Sequence, residues 1–182
     1  RDFCLSRGLG DVYKRQVDCV PHYADAKNVA LLQKFGVLSE KEIKARMEVL
    51  LENYAKTINI EALTMIDMTK KKYIPTCIAY TKELCDAAAV KQSLDICSCV
   101  EKELAEKVSS LTKAAYEATE KLETAVAAAA AKDDCVLSMA KSYREDVIPV
   151  MDDLRAAVDA LEVITPSEKW PVPAYSDIIF NV

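Results

Sequence analysis

Four of the seven cysteines are the residues of this chain whose type and spacing best suit chemistry. Cys97 and Cys99 are separated by one residue, and Cys85 and Cys135 lie elsewhere in the sequence. Thiolates bind zinc, but the ligands of structural zinc sites usually come as Cys-x-x-Cys pairs. Ser98 is better explained as the N-cap of a helix. We therefore predict no metal site at these cysteines. A further cysteine, Cys77, is predicted to lie in the core.

The charged side chains suggest no reaction centre either. A run of three lysines, Lys70-Lys71-Lys72, is typical of a solvated helix face. Six glutamates fall outside the apolar stripe of their helix and are predicted to face solvent: Glu101, Glu103, Glu106, Glu117, Glu120 and Glu123.

The only histidine, His22, follows Pro21 at a predicted helix start, where a surface or capping role is expected. One histidine cannot form a histidine-based metal cluster or the Glu-x-x-His constellation of a di-iron bundle. No Ser/His/Asp or Cys/His arrangement is present. We predict no catalytic, cofactor-binding or metal-binding residue in this chain.

The N-terminal segment has a different origin from the rest. Residues 6–16, SRGLGDVYKRQ, match the translation of a transposase-type sequencing adapter at every position. We therefore interpret residues 1–16 as a non-native, adapter-derived segment. Without its four basic and two acidic residues, the formal net charge changes from −5 to −7. Gly36 is then the only glycine, so the chain has no glycine-rich phosphate loop, dinucleotide fingerprint or nucleophile elbow.

Composition limits the class of protein. The acidic balance argues against nucleic acid or an anionic membrane as a partner. No apolar run approaches the ~20 residues of a membrane span, and no secretory signal is visible. The cysteines lack the density of a secreted disulfide scaffold, which predicts reduced thiols and a cytoplasmic location.

Capping signals and apolar spacing predict the helices. A short helix over 21–35 is closed by Gly36, and Ser39 with Glu42 forms a capping box that starts a helix at Glu40. We expect one long helix from there, bent near 57–60, where the stripe loses register, and again at Pro75. Its predicted stripe is Ile43, Met47, Leu50, Tyr54, Leu63, Ile66, Tyr73, Cys77, Tyr80, Leu84 and Ala87.

Two further helices have heptad stripes. The first opens at a capping box of Ser98 and Glu101, and the second has an expected kink at Pro149. A turn at 132–134 is predicted to separate them. The stripes are Leu104, Val108, Leu111, Ala115, Ala118, Leu122, Ala125, Ala129 and Val136, Ala140, Tyr143, Val147, Val150, Leu154, Ala157, Leu161.

The last fifteen residues form a stiff apolar tail. Pro171 and Pro173 exclude a helix around them, and Trp170, Tyr175 and Phe180, with Ile178 and Ile179, offer apolar area that must be buried. We expect Trp170 to pack on the helix bearing 154–161 or on the one that begins at Glu40. The predicted fold is therefore all-α: an antiparallel bundle of three long helices, with a short N-terminal helix and an extended Pro-rich C-terminal tail.

Three blocks of sequence carry a resemblance to a known family. Residues 21–43, PHYADAKNVALLQKFGVLSEKEI, resemble the end of the catalytic domain of glutamine synthetases. Residues 57–68, TINIEALTMIDM, and the tail 170–180, WPVPAYSDIIF, resemble the type III branch. The resemblance covers essentially all of 17–182.

This resemblance implies a domain order and an activity for a parent enzyme. Residues 17–38 would end the catalytic domain, and 39–182 would form a C-terminal helical domain with its tail at 165–182. The intact enzyme would join ammonia to glutamate, using ATP and Mg²⁺ or Mn²⁺, and would form a large homo-oligomer. No catalytic motif of the family matches a position here, so the resemblance implies an inert fragment with no cofactor, whose partners are other subunits. The alternative is a free-standing helical bundle or coiled-coil interaction module with no enzymatic parent.

Overall fold

The computed structural model describes residues 15–132, 135–173 and 177 of the chain. Every regular element within these residues is helical, as predicted, and none of them forms a strand. Three long helical segments, 40–93, 99–130 and 136–164, contain most of the chain. The α-helices are α1 (Ala26–Lys34), α2 (Glu40–Met68), α3 (Ile74–Ser93), α4 (Cys99–Ala130), α5 (Val136–Ser142) and α6 (Ile148–Ile164).

The short N-terminal helix is divided, which corrects the prediction of one helix over 21–35. A 3₁₀-helix covers Val20–Ala24, and α1 begins only at Ala26, because Asp25 is extended with ψ of 142°. The predicted end of this helix at Gly36 is confirmed. Gly36 has φ of +66°, and the N–H groups of Gly36 and Val37 donate to the carbonyls of Gln33 and Leu32, the two bonds of a Schellman motif.

The predicted capping box at the start of α2 is present. The backbone N–H and the hydroxyl of Ser39 both donate to the Glu42 carboxylate at 2.7 Å, and the Glu42 N–H lies 3.4 Å from the Ser39 oxygen. These bonds lower the pKa of Glu42. A helix start of this kind satisfies donors that have no partner within the helix.

The two helix-interior prolines are each preceded by a π-helical turn, at Thr69–Tyr73 and at Tyr143–Val147. Pro75 and Pro149 have no N–H for the usual bond to the residue four positions earlier. Instead, the N–H of the residue before each proline donates to the carbonyl five positions earlier. Ile74 donates to Thr69, and Ile148 donates to Tyr143. The helix irregularities predicted at the prolines are therefore π turns.

The predicted loss of register near 57–60 is wrong. α2 is an uninterrupted α-helix there, and Ile58 is fully buried. Leu51 and Ala62 are buried in place of the predicted Leu50 and Leu63, which are exposed. The buried positions of α2 recur every eleven residues. Eleven residues make three helical turns of about 3.67 residues each, so the pattern is not a seven-residue repeat. The heptad stripes predicted for α4, α5 and α6 are confirmed at Val108, Ala115, Ala118, Leu122, Ala129, Ala140, Tyr143, Val147, Leu154 and Leu161, all of which are buried.

The predicted separation of the second and third long helices is also confirmed. α4 ends at Ala130 and α5 begins at Val136. Asp133 and Asp134, which carried the turn prediction, lie outside the described residues.

The chain divides into two compact units. Unit 1 comprises Arg1–Ala62 and Ala125–Pro149. Polar bonds in this unit converge on its π turn. The Arg144 guanidinium contacts the Asp18 carboxylate at 2.5 Å, and the Ser142 hydroxyl donates to Asp146 at 2.6 Å while accepting from Lys132 at 3.0 Å.

Unit 2 comprises Leu63–Thr124 and Val150–Val182. Lys70, in its π turn, pairs with Glu123 of α4 at 2.5 Å, and Lys91 at the end of α3 pairs with Glu101 in the first turn of α4. Thr69, Cys77, Val108, Leu122, Leu154 and Leu161 are among its fully buried side chains.

Trp170 is docked, as predicted, on the helical segment that begins at Glu40. Its ring stacks on Tyr73 with centroids 5.1 Å apart, and it is only 7% exposed. The neighbouring Lys169 pairs with Glu83 of α3. The tail residues Tyr175, Ile178, Ile179 and Phe180 lie outside the described residues.

No helix in the described ranges is long and apolar enough to cross a membrane.

The eleven-residue burial pattern can be tested at two isoleucines of one helix. Ile58 is fully buried and Ile60 is 64% exposed. We expect Ile58→Ala to lower the free energy of unfolding by ~2–5 kcal/mol, because it leaves a cavity. Ile60→Ala is the matched control, expected to change it by less than about 0.5 kcal/mol. Urea denaturation measures both, and equal losses at the two sites would contradict the pattern.

Docking of Trp170 can be tested by stability and by fluorescence, since it is the only tryptophan. Trp170→Ala removes the stack on Tyr73 and should cost ~3–5 kcal/mol of unfolding free energy. The native wild-type chain should emit at shorter wavelength than the unfolded chain. A native emission maximum typical of indole in water would show that Trp170 is not docked in solution.

Candidate functional site

The three consecutive lysines, Lys70, Lys71 and Lys72, are all exposed. Lys70 pairs with Glu123, and Lys71 pairs with Asp67 one turn earlier in its own helix. Since two of the three charges already have carboxylate partners, the predicted solvated face is confirmed.

His22 is a surface residue, as predicted. Its side chain is 75% exposed, and its Nδ1 lies 3.0 Å from the carboxylate of Asp25. The His22 carbonyl accepts a bond from the Asn28 side chain at 2.7 Å. These contacts hold the junction between the 3₁₀-helix and α1, a structural role.

Glu101 departs from the predicted solvent-facing set. Its side chain is only 16% exposed, because the Lys91 amine reaches across from the end of α3 and bonds its carboxylate. This contact lowers the pKa of Glu101. Ser98 precedes the first residue of α4, where the N-cap was predicted, but the Glu101 carboxylate is directed to Lys91. Sequence spacing alone gave no sign of this pair, because it joins two different helices.

The cysteines fall into three environments. Cys77 is buried in the core, as predicted, and burial raises the pKa of its thiol. Cys19, Cys85 and Cys135 are exposed and free. Cys97 and Cys99 are also exposed, and their sulfur atoms are in contact at 2.6 Å. Among the described residues, no three His, Cys, Asp or Glu side chains converge as a metal site would require.

An apolar groove of unit 2 lies between α3 and α4, with a volume of about 450 Å³. Ile74 and Ile78 line one side of it, and Thr112 and Tyr116 line the other. The only charged side chain in its described lining is Lys113, which lies 3.7 Å from Glu117. Such a groove can accept apolar side chains but offers no acid–base pair for catalysis.

Comparison with known proteins identifies the family of this chain. A family model described as the glutamine synthetase C-terminal domain matches residues 4–92. This match begins inside the segment interpreted as adapter-derived, and that interpretation stays a prediction.

Similar proteins cover almost the whole chain. A glutamine synthetase of Butyrivibrio fibrisolvens is 32% identical over 97% of this chain and 25% of its own length. A type-3 glutamine synthetase of Dictyostelium discoideum is 29% identical over 99% of this chain and 25% of its own length. A glutamine synthetase of Bacteroides fragilis is 26% identical over 90% of this chain and 23% of its own length. The chain thus spans about a quarter of the length of these relatives, one of which is a type-3 enzyme. It belongs to the glutamine synthetase C-terminal domain family.

Proposed function

We propose that this chain is a structural, non-catalytic part of a type III glutamine synthetase. The intact enzyme would ligate ammonia to glutamate at the expense of ATP. One observation carries the proposal: nearly all of this chain aligns with about a quarter of three glutamine synthetases. The chemistry would then belong to the other three quarters.

The cofactors of the family do not fit the side chains described above. ATP bound with Mg²⁺ or Mn²⁺ needs convergent carboxylates and backbone or cationic donors around phosphate. The described residues bring together no such set of carboxylates, and the best cation candidates, Lys70 and Lys71, are paired with Glu123 and Asp67. We therefore assign no step of the reaction to this chain.

Helix α1 supports a role within a larger protein. It is nine residues long and none of its side chains is buried. Isolated helices shorter than about 12–15 residues are marginal in water, so α1 needs a partner surface. Leu31, Phe35 and Val37 are all more than half exposed at its end and can supply the apolar contact.

We assign that partner to the rest of the same enzyme. In this proposal residues 17–38 end the catalytic domain, and 39–182 form the C-terminal helical domain. Other subunits of a homo-oligomer are further partners. The six described cysteines are all free thiols, which agrees with a cytoplasmic enzyme.

The three long helical segments form an antiparallel bundle in this proposal. The extended tail predicted from the sequence is not part of it, because the N–H groups of Lys169 and Trp170 donate to the Pro166 carbonyl and form a turn. Two ion pairs of unit 2 support opposite directions for its first two segments. Lys70 pairs with Glu123 and Lys91 pairs with Glu101. Moving forward along the first segment therefore means moving backward along the second, as in antiparallel helices.

The free-standing interaction module is the alternative function, and a parent reading frame without an upstream catalytic domain would favour it.

The inert character of the chain is directly testable. We expect the purified chain to show no ATP hydrolysis and no glutamine formation, with or without Mg²⁺ or Mn²⁺. Calorimetry with Mg²⁺–ATP should detect no binding at micromolar affinity, about −8 kcal/mol. Micromolar binding that disappears in a Lys70→Ala variant would overturn the structural assignment.

The partner of α1 can be tested in a chimera of the Butyrivibrio fibrisolvens enzyme whose matching segment is replaced by residues 17–182. We expect the chimera to assemble and to retain activity. Phe35→Ser should reduce its assembly roughly tenfold, the effect of losing about 1.4 kcal/mol at an interface.

The matched control is Phe35→Ser in the isolated chain. Since Phe35 is 69% exposed there, its unfolding free energy should change by less than about 0.5 kcal/mol. A chimera that assembles and reacts equally well with Ser at this position would show that α1 has a different partner.

A further inference from the structure

The loop between α3 and α4 holds two thiols side by side. Cys97 and Cys99 flank Ser98, which is buried, while both cysteines are exposed. Both thiols therefore lie on the solvent side of the loop, where their sulfur atoms are 2.6 Å apart.

The surroundings make the two thiols unequal. Cys99 is the first residue of α4, so its backbone N–H is one of the donors that a helix start leaves without an internal partner. Contact with the Cys99 sulfur, in which either thiol can be the donor, and this backbone N–H together lower the pKa of Cys97. The same contact raises the pKa of Cys99. Cys97 is thus the better nucleophile and Cys99 the thiol beside it.

The other exposed cysteines lack this arrangement. Cys19, Cys85 and Cys135 are exposed, but in the described part of the chain only Cys97 and Cys99 form a thiol–thiol contact. They therefore serve as internal controls for the reactivity of a single exposed thiol.

We propose that Cys97 and Cys99 form a dithiol site that a hydroperoxide oxidises to a disulfide within the loop. This site is independent of glutamine synthesis, because all of its atoms belong to this chain.

The reaction balances in two steps. The Cys97 thiolate attacks the terminal oxygen of the hydroperoxide, the O–O bond breaks, and the leaving oxyanion takes up a proton as water or an alcohol. Cys97 is then a sulfenic acid. The Cys99 sulfur attacks the Cys97 sulfur, the S–O bond breaks, and the hydroxide leaves as water with the proton of Cys99. The two thiols supply two electrons, and one hydroperoxide accepts them.

The oxidised loop would close a ring of only three residues. Because the loop is so short, the disulfide removes little entropy from the unfolded chain, and its stabilising effect should be small. The site therefore consumes peroxide and does not act as a staple of the fold.

The test uses the full chain, reduced and treated with a limiting amount of hydrogen peroxide, then blocked with N-ethylmaleimide and digested with trypsin. Cleavage after Lys91 and Lys102 releases residues 92–102, which contain only these two cysteines. We expect this peptide to lose the mass of two hydrogen atoms and to carry no maleimide. The peptide with Cys85 should keep its maleimide, and its oxidation should be at least tenfold slower.

Two variants separate the roles. In Cys99→Ser, Cys97 should still react and should stop at a sulfenic acid that dimedone traps. In Cys97→Ser, Cys99 should react no faster than Cys85. Both positions are exposed, so circular dichroism should show an unchanged fold.

Three results would overturn the proposal. The first is a 92–102 peptide that keeps both maleimides while Cys85 is oxidised. The second is disulfide-linked dimers in place of the internal disulfide. The third is the same dimedone yield at Cys97 and Cys85 in the Cys99→Ser variant.

Discussion

A missing backbone N–H shapes both units of this protein. Pro75 and Pro149 cannot donate the hydrogen bond that an α-helix requires, and each is preceded by a turn in which the bond reaches back five residues. An added residue per turn rotates the side chains that follow relative to a regular helix. Each of these turns contributes buried side chains and an ion pair to its unit.

In unit 2 the turn contains Thr69, which is fully buried, Lys70, which pairs with Glu123, and Tyr73, on which Trp170 stacks. In unit 1 the corresponding turn contains Tyr143 and Val147, both buried, and Arg144, which pairs with Asp18. Surface ion pairs contribute little singly, so burial of the aromatic and aliphatic side chains dominates at both turns.

The sequence was sufficient for features that depend on local chemistry. Ser39 with Glu42 and Gly36 fix a helix start and a helix stop through bonds within a few residues, and both were predicted correctly. The α2 stripe was not predicted correctly, because Leu50 and Leu51 are equally apolar and only the packing of the whole helix selects which of them is buried. The predicted stripe also lost register at Ile58, whereas an eleven-residue period keeps this residue inside the core. The Lys91–Glu101 pair depends on the packing of two different helices, which residue spacing does not report.

The candidate sites show the same limit. The prediction that Ser98 caps α4 made Cys97-Ser98-Cys99 an unlikely metal ligand set, and the position of Ser98 before Cys99 agrees with a cap. The same backbone geometry has a second consequence that capping alone did not suggest. Ser98 is buried while Cys97 and Cys99 are both exposed, and the first N–H of α4 bonds the Cys97 sulfur. Helix initiation and thiol reactivity are therefore produced by one backbone conformation, so a change that displaces Ser98 from the core should weaken the start of α4 and separate the two thiols at once.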